Sequence, residues 1–193
     1  MSDDQTDDLI GYGDWGALFF ETAVTEERIL AGVNAMAGRQ INVGPLGVGP
    51  GRVAKVMAKG EIGTATGHRI STDPVAFDVR LPVTLNFSLD LSVDVQKFVA
   101  VVEVPLRLTA HARDDLAIVI DVRPPAADEV KIALKAKSLR ATLTQYAAGI
   151  EGELQRFIAK YVAREINSPG VVAARTVNVG AALNKAAGGI VPS

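Results

Sequence analysis

The chain has 193 residues, 48% of them hydrophobic but only 5% aromatic, and 20 basic against 22 acidic side chains leave a formal net charge of -2. That length supports one domain with a sizeable core, and a near-neutral balance without a basic stripe argues against nucleic-acid binding. The lack of cysteine excludes disulfides, thiolate nucleophiles and cysteine-ligated zinc.

The opening MSDDQTDDLIGYGDWG lacks the basic and apolar regions of a signal peptide. No apolar run reaches the roughly 20 residues of a membrane span, so a cytoplasmic protein without a span is expected. Residues 1–14 read as a flexible acidic tail, 15–180 as a single α+β domain and 181–193 as a second flexible tail. Asp14 to Val24, with Trp15, Leu18, Phe19 and Phe20, fits helix or strand equally. Thr25 reads as an N-cap, Glu26 and Glu27 suit the positive end of a helix dipole, and Val24 with Ile29 forms a hydrophobic staple. Ile29, Leu30, Val33 and Met36 make one apolar face, and Gly38 suits the stop, so a helix over 26–37 is predicted.

Gln40–Val48 and Val53–Ile62 read as a hairpin. Their connection, GVGPGR at 47–52, is glycine-rich, but a strand rather than a helix follows it. A Pro50-Gly51 turn therefore outweighs a phosphate-binding loop. From Val75 to Val95 every odd position is apolar and most even ones are polar, while from Phe98 to Ala112 the even positions are apolar. Period two means one face in and one out. A hairpin with Asp94–Lys97 as its loop pairs Phe87 with Val104, Leu89 with Val102, Leu85 with Leu106 and Asp78 with Arg113. Leu116, Ile118, Ile120 and Val122 then pair back onto Ala112, Ala110, Leu108 and Leu106. Pro124-Pro125 stops that strand, Val130 to Ala136 returns with Lys131 opposite Asp121, and Pro82 and Pro105 mark bends. Ser138–Asn167 carries helical apolar spacing and closes the sheet, and Arg175–Val179 suits a short strand.

No catalytic motif stands out. His68 reads as a loop residue and His111 as a strand residue opposite Arg80; both are taken as ordinary surface histidines, since a metal site needs three or more converging ligands. Asp90 and Asp94 lie about 13 Å apart by strand rise, too far for a glycosidase pair. Gly149 and Gly152, inside the long helix, fit close packing against the sheet or room for a ligand. No cofactor and no metal are expected.

The helix TEERILAGVNAMAG, the strands VAFDVRLPVTLNFSLDLSV and FVAVVEVPLRLTAHA, and the helix SLRATLTQYAAGIEGELQRFIAKYVAREIN together resemble one unit of the tubular lipid-binding superfamily. That is the family of bactericidal permeability-increasing and synaptotagmin-like mitochondrial lipid-binding proteins. The resemblance covers residues 25–167 and is one of pattern. It implies a strongly curved antiparallel meander around a long C-terminal helix, with an apolar space for a lipid chain. A second resemblance is to the helix-grip fold of START-like polyketide cyclases, and it implies the same space. The lining expected from the strands is Leu85, Phe87, Leu89, Val104, Leu106, Leu108, Ile118 and Ile120. Ala147, Ile150 and Leu154 are expected from the helix. The functions that follow are a binding protein for a lipid or other elongated apolar molecule, a cofactor-free cyclase or isomerase in the same cavity, or a non-catalytic interaction module or homodimer.

Overall fold

The computed structural model describes residues 9–48, 54–90, 95–135 and 141–188, with the side chains of 48, 54, 141–150, 187 and 188 outside that description. It is an α+β fold in which a curled antiparallel sheet forms a half-barrel accompanied by helices. Helix α1 spans Tyr12–Ala23 and α2 Glu26–Asn34. Strands follow as β1 (Gln40–Val48), β2 (Ala54–Ile62), β3 (Thr66–Thr72), β4 (Val75–Asp90), β5 (Val95–Ala112), β6 (Ala117–Arg123) and β7 (Lys131–Lys135). The long helix α3 covers Ala141–Ile166, α4 Pro169–Ala174, β8 Thr176–Asn178 and α5 Val179–Gly188.

The capping signals act as the sequence suggests. The Thr25 hydroxyl accepts the Arg28 backbone N–H at 3.3 Å, and both staple residues, Val24 and Ile29, are buried. The helix ends at Asn34 rather than 37. Asn34 is a weak helix former, and its side-chain oxygen instead accepts the Ala65 N–H at 2.7 Å. Gly38, at φ 78°, turns the chain into β1.

Strands β4 and β5 form the spine. Odd residues of β4 and even residues of β5 face inward, so Phe77, Val79, Leu85, Phe87, Leu89, Ala100, Val102 and Val104 are all nearly inaccessible to solvent. The register differs from the expected one by six residues: Phe87 pairs with Phe98 instead of Val104, Leu85 with Ala100 and Leu89 with Gln96. Six is even, so every side chain keeps its face; alternation fixes the face and leaves even shifts open. Two contacts specific to the observed register are the stacked Phe87 and Phe98 rings, 4.9 Å apart, and the Arg107–Asp78 ion pair at 3.0 Å. Arg113, expected opposite Asp78, bonds Asp115 in the turn. The connection 91–94 lies outside the described residues, as do the Pro50-Gly51 turn and the Leu91 and Val93 pairings.

Each spine strand is flanked end to end by two short ones. Strands β2 and β3 both pair with β4, and β6 and β7 both pair with β5. The chain therefore does not reverse at Pro124-Pro125. It leaves the ladder, makes a short 3-10 turn at Ala127–Glu129 and rejoins β5 in the same direction. Lys131 consequently lies opposite Glu103, and Asp121 opposite Thr109, in place of the expected Asp121–Lys131 pair. The β5–β6 register differs from expectation by two, with Ile118 opposite Ala112. Leu116 is not an inward strand residue but sits in the turn at φ 56°, 61% exposed. His68 is in β3, opposite Asp78, and His111 faces Val119, not Arg80.

The breaks on the two flanks fall at one height. The step from β2 to β3 lies beside Leu81 and Pro82, and the step from β6 to β7 beside Val104 to Leu106; Leu81 itself pairs with Val104. The Pro82 carbonyl accepts the Gly63 N–H at 2.8 Å, so the side of Pro82 that lacks a donor faces the break, where no ladder bond is lost. The two prolines expected at bends thus lie on this line.

Helices reach into both stretches expected as flexible tails, over 12–14 and 181–188. Helix α1 begins at Tyr12 and is held by Phe19, Phe20 and Ala23 against the core. Helix α5 is rich in alanine, the best helix former, and Asn178 caps it by accepting the Ala181 N–H at 2.7 Å. Residues 1–8 and 189–193 lie outside the described residues.

Close packing of β2 on β4 depends on Gly60. A Cβ there would fall against the Leu85 side chain and 2.6 Å from the Thr84 carbonyl oxygen, and a backbone atom of a paired strand has little freedom to retreat. Gly60→Ala is expected to cost about 1–3 kcal/mol by overpacking, read as a lowered urea midpoint. An unchanged midpoint would show that β2 lies further from β4.

Candidate functional site

Helix α3 lies across the concave side of the sheet. Its inward face carries Leu154 and Ile158, both buried, and Ile166 at its end. The Gln155 side chain ties the helix to the edge by donating to the Val130 carbonyl at 3.0 Å. Beneath the line where both flanks break, the strands do not close fully onto the helix. A cavity of about 70 Å³ remains, with Leu81, Val83, Val104 and Leu106 on the sheet side and Phe157 and Val162 on the helix side. Met36, Ile41 and Val43 complete the wall near β1.

Of the expected lining residues, Leu85, Val104 and Leu106 border this cavity. Phe87, Leu89, Leu108, Ile118 and Leu154 are buried in the packed core, and Ile120 packs half-buried against it. The side chains of Ala147, Gly149 and Ile150 lie outside the described residues. A Cβ on Gly152 would meet nothing closer than Arg156 at 3.9 Å, so close packing does not explain that glycine. The α2–β1 wall and the helix residues Phe157 and Val162 were not among the expected lining. Their apolar periodicity was visible, but which of them face a gap depends on where the sheet bends.

Electrostatically the cavity is bare. Among the described residues no polar or charged side chain is buried, and no group of three His, Asp or Glu could hold a metal. The carboxylate at the rim, Glu165, is drawn outward to Arg39 at 3.4 Å. Polar chemistry sits instead on the convex face, in an open cleft of about 200 Å³ beside the Pro124–Val130 step. There Arg107 pairs with Asp78, Arg123 with Glu129, and Glu103 lies between Arg80 and Lys131. The Ala126 N–H, donated to Glu129 at 2.7 Å, together with Arg123 holds the Glu129 carboxyl below its usual range. These are solvated ion pairs, which contribute little to stability.

The fold and its apolar gap define a half-barrel that holds a helix over a carbon-lined space. No protein-family model and no curated protein matches the chain. Among the described residues no helix is long and apolar enough to cross a membrane.

Proposed function

We propose that the protein binds an elongated apolar molecule between the sheet and α3 without transforming it. The observation that supports this most is the gap beneath the bend, bordered by carbon and free of buried polar groups. An acid–base enzyme needs an ionisable group within reach of its substrate; of the two ionisable side chains at the gap, Glu165 pairs with Arg39 and the Tyr161 ring lies between Phe157 and the Arg164 guanidinium. A cyclase working by positioning alone is the weaker reading.

The resting gap of about 70 Å³ is roughly half the ~150 Å³ cavity that accepts benzene. A longer chain therefore enters by displacing side chains. Phe157, Tyr161 and Val162 are only half-buried and form the wall that yields. The same small volume supports a second reading, in which the interior is a filled core and the protein is an interaction module.

A fluorescent fatty acyl probe distinguishes the two. Saturable binding is expected, and Val162→Phe, which fills the gap from the helix side, should weaken it by about tenfold, or about 1.4 kcal/mol, while circular dichroism stays native. Absence of saturable binding to the wild type would remove both the carrier and the cyclase and leave the interaction module.

A further inference from the structure

Five of the twelve exposed large apolar side chains among the described residues cluster near one end of the chain. Leu9, Ile10, Tyr12, Trp15 and Leu18 are 53–97% exposed within ten residues. Tyr12, Trp15 and Leu18 recur at three-residue spacing and so share one side of α1. Phe19, next to Trp15 and stacked on it at 5.4 Å, packs against the core while Trp15 does not. Single exposed apolar residues need no explanation, but a contiguous patch of this kind marks a contact site.

Charge selects the occupant. Residues 1–27 carry eight carboxylates and no lysine or arginine, leaving 14 acidic against 20 basic side chains in residues 28–193. An anionic bilayer would repel this segment, and the body of the same protein attracts it. Arg156, Lys160 and Arg164, four residues apart, form an exposed basic ridge along α3. Arg156 bonds Glu153 at 2.8 Å and Arg164 lies over the Tyr161 ring at 5.3 Å. Lys160 makes no ion pair among the described residues. Beside the ridge run the half-buried rings of Phe157 and Tyr161. The ridge thus offers cations and aromatic surface to a helix that carries carboxylates and aromatic surface.

We propose that the occupant is a second copy of this chain, with α1 of each protomer lying along the basic face of α3 of the other. A two-fold pair makes that contact twice. Aromatic side chains bury about 150–250 Å² each. Tyr12 and Trp15 with their aliphatic neighbours, engaged twice, therefore reach the roughly 1,200 Å² at which stable interfaces begin. This pairing shares the Phe157 and Tyr161 rings with the wall of the apolar gap but does not rest on the apolar-ligand reading, because Trp15, Leu18 and Lys160, which its test probes, lie outside that gap.

Sedimentation equilibrium of the full chain tests it. A dimer is expected whose dissociation constant rises with salt, since the contact joins opposite charges. Leu18→Glu should raise that constant by about a hundredfold and Lys160→Glu by about tenfold. Combining Lys160→Glu with Asp14→Lys should restore much of the loss. Trp15 is the only tryptophan, so its emission should move to shorter wavelength as the dimer forms. Both single variants change surface side chains, and native circular dichroism confirms that they fold. A monomer at every concentration up to about 100 µM, or a dimer indifferent to Leu18→Glu and Lys160→Glu, would overturn the proposal. So would a Trp15 shift that requires phosphatidylcholine vesicles, which would assign α1 to a membrane surface instead.

Discussion

Phe87→Ala should lower the unfolding free energy by about 3–5 kcal/mol, the range for emptying a buried phenylalanine site. The ring is 2% exposed, stacked on Phe98, and held on the β2 side by its partner Ala58. Alanine at 87 would leave two small residues side by side, and neither can reach into the void. Phe98 would also lose its stacking contact, worth about 0.5–1.5 kcal/mol beyond area. Urea denaturation should show a lower midpoint with an unchanged slope, the mark of lost stability without altered compactness. A loss below about 1 kcal/mol would place the ring at the surface and undo the account of the inner face.

Leu154→Ala should cost about 2–5 kcal/mol. Leu154 is 1% exposed and belongs to the same core cluster as the inward residues of β4 and β5. On α3 it is the counterpart of Phe87 on the sheet: one truncation loosens the strand layer, the other the helix seated on it. If α3 rested loosely on the half-barrel, the substitution would be nearly neutral. Faster amide exchange along 151–166 than in β4 would accompany the expected loss, since the described residues of the helix are held by packing and by side-chain tethers such as Gln155 rather than by a ladder.

The sequence made the strands legible because alternation is a local property. Val75 to Asp90 and Val95 to Ala112 each show which side faces the core without reference to any partner. Register is not local. Phe87 is as apolar opposite Val104 as opposite Phe98, and what separates the two is contacts such as the ring stack and the Asp78–Arg107 and Arg80–Glu103 pairs. The partner of β7 was misread for a related reason. Pro124-Pro125 stops a ladder, but it does not say whether the chain turns back or steps over and continues. Leu116 continued the apolar parity and so looked like a strand residue, although the turn claims it at positive φ. An aliphatic space between sheet and helix was expected, and three residues named for it, Leu85, Val104 and Leu106, border the gap between them. The position and size of that gap were not legible, because both follow from where the two flanking ladders break against the helix.

Those paired breaks set where the half-barrel is expected to deform. Along the line through Leu81 and Val104 the outer ladders are interrupted, and the β4–β5 ladder carries the connection between the two panels of the sheet. A pleated sheet is stiff where every ladder is continuous and compliant where they stop. Bending strain is therefore expected to gather in this crease and to spare the panels, whose flanking strands are paired with β4 and β5. A hinged trough is the expected behaviour: its mouth would widen or narrow along one soft coordinate, and the void beneath the crease is the volume that this coordinate would change first.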